Sequence, residues 1–298
     1  MNEEIKKEKQ IPLMTSIIIG VILIATGWLY VVRSANQEEG AFQHAASVIS
    51  LDDISIENEI ELPARWGNIG IQMIEAGVID KAQFESLYST RGGLSESDKR
   101  LLYDSNNGNL VITSENSGII LNILWAFGLG NKNPILEKGQ MTDEKYGGAG
   151  NFASTGGWTL SNGDAMSHYS MHSFVVLTEE QQALVESVSK GIFRPCCNNS
   201  TYFPDCNHGM AMLGLLELMA SQGVSEIDMY KFALKVNTLW FLDQYKTIRA
   251  FFESKNISWE SVDPKEILSS KYSSASGFQD VLSQVQPQEQ TRGGSCGA

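Results

Sequence analysis

The segment SGIILNILWAFGLG, Ser117–Gly130, is apolar almost all the way round a helix. A helix of that kind has no face to offer water, so it must be enclosed on every side. Asn122 interrupts it and the run is too short to cross a bilayer, so the enclosure is protein rather than lipid.

Other helices must supply the wrapping, and their start signals are present. Asp80 caps KAQFESLYST, which carries Phe84, Leu87 and Tyr88 on one face. Ser95 with Asp98, and Thr178 with Gln181, have capping-box spacing, and Gly191 ends the helix that Thr178 starts. Ser225 and Asp228 open one long amphipathic helix through Glu226–Lys255, and Asp263-Pro264 opens a short one. Pro63 suits a first helical turn, followed by a stripe of Trp66, Ile69, Ile71, Met73 and Ile74. Asn109–Thr113, NLVIT, is the best strand candidate. The expected fold class is mainly α, one compact helical domain with little β structure.

Upstream of that domain stands LMTSIIIGVILIATGWLYVV, Leu13–Val32, twenty residues without a charge. At a rise of about 1.5 Å per residue it matches a hydrocarbon core of about 30 Å. Trp28 and Tyr30 stand where a signal peptidase needs small residues, which favours an uncleaved signal anchor. Lys6, Lys7 and Lys9 precede the run and Arg33 alone follows closely, so the amino terminus is expected in the cytoplasm. The expected organisation is a cytoplasmic tail (1–12), a membrane anchor (13–32), a stalk (33–60), an extracytoplasmic helical domain (61–255) and short helices with a flexible tail (256–298). The main domain is then periplasmic or extracellular, and the membrane is the one partner the sequence names.

The net charge of −13, from 35 acidic and 22 basic residues, excludes nucleic acid as an expected partner. Binding by counterion release needs clustered Lys and Arg, and no cluster stands beyond the first ten residues. Asn131–Asp164 is a long Gly- and Asn-rich stretch, and Phe152 and Trp158 mark it as ordered. Its GGAG and STGG lack the Lys-Ser/Thr pair of a phosphate loop.

Chemistry concentrates in FRPCCNNSTYFPDCNHGMAM, Phe193–Met212. It holds three of four cysteines, Cys196, Cys197 and Cys206, and one of four histidines, His208. Asp205 is a candidate helix cap, which would put Cys206 in a first turn where the helix dipole lowers a thiol pKa. His168 and His172 are four apart in AMSHYSMHSF, a chelating spacing if that segment is helical.

Three readings follow. In the first, Cys196, Cys197, Cys206, His208, His168 and His172 converge on zinc or copper, because thiolate and imidazole suit a soft cation. In the second, Cys206 pairs with Cys196 or Cys197 in a disulfide-stabilised envelope scaffold without metal. In the third, Cys206 is the nucleophile of a thiol–disulfide oxidoreductase. No Cys-x-x-Cys, Cys-x-x-Cys-His or His-Glu-x-x-His is present, so standard zinc modules, c-type haem and the usual hydrolytic zinc site are not indicated. Whether the chain is an enzyme stays open. Met166, Met171, Met210, Met212 and Met219 read as plastic core before copper ligands. Cys296, among glycines in the tail, reads as a stray thiol or as a mobile arm reaching the site.

Overall fold

The computed structural model describes residues 59–285. The expected anchor at 13–32, the segments flanking it up to residue 58, and Cys296 lie outside the described residues. Among the described residues, no helix is long and apolar enough to cross a membrane.

The fold is mainly helical, with one two-stranded antiparallel sheet. The first strand, β1, is Glu59–Gly67, where a helix was expected from its proline. Its real signal is period two: Ile60, Leu62, Ala64 and Trp66 are all buried. Pro63 lies inside a register shift, between Glu61 opposite Val111 and Arg65 opposite Asn109. A residue with no N–H is tolerated at such an irregularity. The partner, β2, is Asn107–Thr113, which contains the expected strand. Between them come α1 (Ile69–Glu75), α2 (Lys81–Ser89) and α3 (Glu96–Tyr103). Asp80 accepts from the Gln83 N–H, and Ser95 and Asp98 close the capping box.

The apolar helix, α4, is Ser117–Gly130 and is buried along nearly its whole length. After it, α5 (Pro134–Lys138), a series of 3-10 turns and α6 (Ala153–Gly156) fill the Gly-rich stretch. That stretch is ordered by its aromatics, as expected. Trp158 donates to the Val78 carbonyl at 2.8 Å and meets Trp125 edge-on at 5.0 Å. Helix α7 is Glu179–Gly191, with the Thr178–Gln181 box at its start.

A second enclosed helix, α8 (Asn207–Ser221), is buried from His208 to Ala220 and packs against α4. The two backbones touch through glycines. A Cβ on Gly128 would collide with the Met210 carbonyl oxygen, and one on Gly214 would come within 2.7 Å of the Leu124 oxygen. Gly128→Ala is therefore expected to lower stability by about 2–3 kcal/mol, since helix backbones must part to admit the methyl. Urea unfolding checks this, and an unchanged midpoint would mean that the helices slide apart freely.

The long helix expected through Glu226–Lys255 is two, α9 (Glu226–Trp240) and α10 (Leu242–Ser254). The break is Phe241, whose backbone leaves the helical region at φ −130°, ψ 51°. Its ring comes to rest 4.4 Å from that of His208.

The chain continues through α11 (Pro264–Ile267), α12 (Ser270–Ser273) and α13 (Ala275–Gln284). A flexible tail was expected from Ser273, but Tyr272, Phe278 and Val281 are buried. The serines that read as polar linker are bonded inside. Ser273 donates to the Ile267 carbonyl, and Ser274 to that of Ser270.

Candidate metal centre

The segment from α7 to α8 folds around one guanidinium. Arg194 is only 1% exposed. Its Nε donates to Cys206 Sγ at 3.0 Å, one terminal nitrogen to the Asn199 carbonyl at 2.9 Å, and the other to Asp205 Oδ1 at 2.6 Å. Asn199 donates in turn to the second Asp205 oxygen at 2.7 Å. Gly209 makes the room: a Cβ there would collide with the guanidinium. Sequence reasoning missed Arg194, because an arginine just ahead of Pro195 and the paired cysteines in an expected loop carries no mark of burial.

Cys206, rather than Asp205, caps α8, and its sulfur accepts from the Gly209 N–H at 3.4 Å. Asp205 is held away from the helix by Arg194 and Asn199. Cys196 Sγ lies 3.6 Å from Cys206 Sγ, with Cys196 exposed and Cys206 half-buried. Cys196, Cys197 and Cys206 are all unbridged.

The three thiols are pushed in opposite directions by their surroundings. Cys206 is held well below the usual thiol range by hydrogen bonds from Cys196 and Cys197, by the Arg194 cation and by His208, all outweighing burial. Cys196 is pushed the other way, by its bonds to Cys197 and Cys206 and by burial. Cys197 is pulled down by a bond with Cys196, but its bond to Cys206 and its burial prevail and push it up to about 11. The anion therefore belongs on Cys206, where a guanidinium and a helix N–H point at it.

Two sets of three potential ligands have all their donor atoms within 4.8 Å of one another: Cys196, Cys206 and His208, and Cys197, Asp205 and Cys206. Either set is close enough to hold a metal ion. Arg194 already bonds two members of the second, so a protein cation stands there. In the first set Arg194 bonds only Cys206, leaving Cys196 and His208 clear of it. His208 is 8% exposed, and its Nδ1 is buried with no hydrogen-bond partner. Phe241 at 4.4 Å and Trp240 at 5.8 Å hold the ring. A buried imidazole with one ring nitrogen inside the sulfur cluster fits a coordinating role.

His168 and His172 belong to neither set. The helix expected to carry them is one 3-10 turn, Ala165–Ser167, capped by Asp164. Beyond it Ser170 turns the chain with φ 55°, and His172 bridges to Asn131. The two rings serve each other: His168 Nδ1 and His172 Nε2 are 3.2 Å apart, and His168 Nε2 is 3.0 Å from the Asn162 carbonyl. Burial and the neighbouring imidazole lower the His172 pKa. The methionines divide likewise, with Met210, Met212 and Met219 in the core and Met166 and Met171 exposed.

A second unforeseen feature lies further along α8. Glu217 is 0% exposed and accepts from Asn131 at 2.6 Å and Asn133 at 2.5 Å. Burial outweighs the two amide bonds and pushes its carboxyl up to about 8.

The chain matches no known protein-family model, no curated protein and no solved structure.

Proposed function

We propose that this chain binds a soft transition metal, zinc or copper, through Cys196, Cys206 and His208, as a membrane-anchored extracytoplasmic protein that holds the ion without catalysing a reaction on it. The observation that carries this reading is the 3.6 Å between Cys196 Sγ and Cys206 Sγ, with the His208 donor inside the same 4.8 Å cluster. Sulfurs bound to one ion at about 2.3 Å each stand roughly 3.7 Å apart at a tetrahedral angle. Two thiolates and one imidazole suit trigonal copper(I), or zinc with a water as fourth ligand. Arg194 lies behind Cys206 as an outer partner that fixes the sulfur, the kind of support that orients metal ligands. Cys197 falls in the other set, with Asp205, whose carboxylate Arg194 already pairs.

The test measures metal and free thiols together on the reduced full-length chain in detergent. About one equivalent of zinc or copper(I) is expected, and Cys206→Ser and His208→Ala should each weaken binding by about tenfold to a hundredfold or more. His168→Ala should leave it unchanged. A metal-free protein with blocked thiols would sink the proposal and favour the disulfide-stabilised scaffold. Equal losses in His168→Ala and Cys206→Ser would sink the ligand set.

A further inference from the structure

The same sulfurs are arranged for a second chemistry that needs no ion. Cys206 Sγ receives Arg194 Nε at 3.0 Å and the Gly209 N–H at 3.4 Å, which favours its anion by geometry. Cys196 Sγ is 3.6 Å from it, on the exposed side. A nucleophilic sulfur held by fixed donors, with a second thiol within one rotamer change of bonding distance, is what two-step disulfide exchange requires. Cys197 carries its own weak bond to the Asn199 carbonyl, at 3.8 Å, and its backbone carbonyl is tied to the Ala275 N–H at 2.9 Å. That leaves Cys196 as the partner free to swing.

We propose that the metal-free site exchanges with small organic disulfides, Cys206 attacking and Cys196 resolving. In the first step the Cys206 thiolate attacks one sulfur of R–S–S–R. The S–S bond breaks, a Cys206–S–R mixed disulfide forms and RS⁻ leaves with the electron pair. In the second step Cys196 gives its proton to that thiolate and attacks Cys206 Sγ, expelling the second RS⁻. The two protein sulfurs are oxidised to a Cys196–Cys206 bridge, and the small disulfide is reduced to one thiol and one thiolate, the latter taking its proton from water. Entry is from the side of Cys196, which is exposed.

The experiment uses the reduced, chelator-stripped full-length chain in detergent, with oxidised glutathione as the probe and peptide mass mapping as the readout. Cys296 serves as an internal reference thiol. In the wild type, peptides containing Cys196 and Cys206 should become cross-linked, at a rate about tenfold above glutathionylation of Cys296. Cys196→Ser should stop at the first step and accumulate one glutathionyl group on Cys206. Cys206→Ser should lose the fast reaction. The proposal is overturned if Cys206 reacts no faster than Cys296. It is overturned equally if Cys206→Ser still gains its adduct at Cys196 at the wild-type rate, or if the cross-link forms through Cys197 in Cys196→Ser. A metal titration on the same reduced sample separates the two readings, since exchange can fail with metal binding intact and the reverse.

Discussion

Arg194→Met is expected to destabilise the folded chain by about 3 kcal/mol, at the low end of the usual cost of breaking a buried ion pair. The guanidinium is the hub of the cysteine segment, bonding Cys206, Asn199 and Asp205 at once. Without it, Asp205 and the Cys206 sulfur lose their counter-charge, and the Asn199 and Phe203 carbonyls lose a donor. Asp205 is one-fifth exposed, so water recovers part of the loss. Arg194→Lys should restore little, because one ammonium cannot span acceptors that a planar fork reaches from several nitrogens. Urea unfolding of the reduced, metal-free protein measures both variants. A loss under about 1 kcal/mol in the methionine variant would mean that the arginine is solvated rather than structural.

Glu217 should make stability fall as pH rises from acid toward about 8. Its folded carboxyl is pushed up to about 8 by burial, above the ordinary value of an unfolded glutamate. Below the unfolded value both states are protonated and nothing changes. Between the two values the unfolded chain releases a proton that the folded one keeps, so folding weakens as pH rises. The expected slope is on the order of 1 kcal/mol per pH unit between about pH 5 and pH 8. It should flatten above the folded value, where both states are ionised. Glu217→Gln removes the titration and with it the slope. It also turns an amide toward the Asn131 or Asn133 donor, so a uniform loss of about 1–3 kcal/mol is expected beneath the flattened profile. Urea midpoints across the range give the answer, and parallel profiles for wild type and variant would dismiss the idea.

Much of the fold could be read from residues because the deciding signals were local. Capping at Asp80, Ser95 and Thr178 depends on four consecutive residues, and each cap is where the spacing puts it. Burial of α4 follows from having no polar face. The failures arose where tertiary contacts outvoted local preference. Pro63 looked like a helix start because its neighbours also satisfied a 3.6-residue stripe. That stripe joined residues of a strand, Trp66, to residues of the next helix, Ile69 and Met73. Phe241 breaks the Glu226–Lys255 helix with neither glycine nor proline to announce it, and its reward is a packed contact with His208.

The candidate site was half legible for the same reason. Cys196, Cys206 and His208 lie within thirteen residues, and proximity in sequence became proximity in space. Joining His168 and His172 to them required a long-range contact that no spacing encodes, and the imidazoles found each other instead. Arg194 was invisible because a charged side chain is presumed to face water until its partners are seen.

The amino end of α13 reaches back to the cysteine segment. The Ala275 N–H donates to the Cys197 carbonyl at 2.9 Å, and the Ser276 N–H to Asn198 Oδ1 at 2.8 Å. A polypeptide is made from its amino end, so these clasps are among the last parts of the described fold to leave the ribosome. The Cys197–Asn198 edge of the loop therefore waits unclasped until α13 has been made. Loading with an ion, or oxidation, before that clasp closes would meet a looser loop than the folded one.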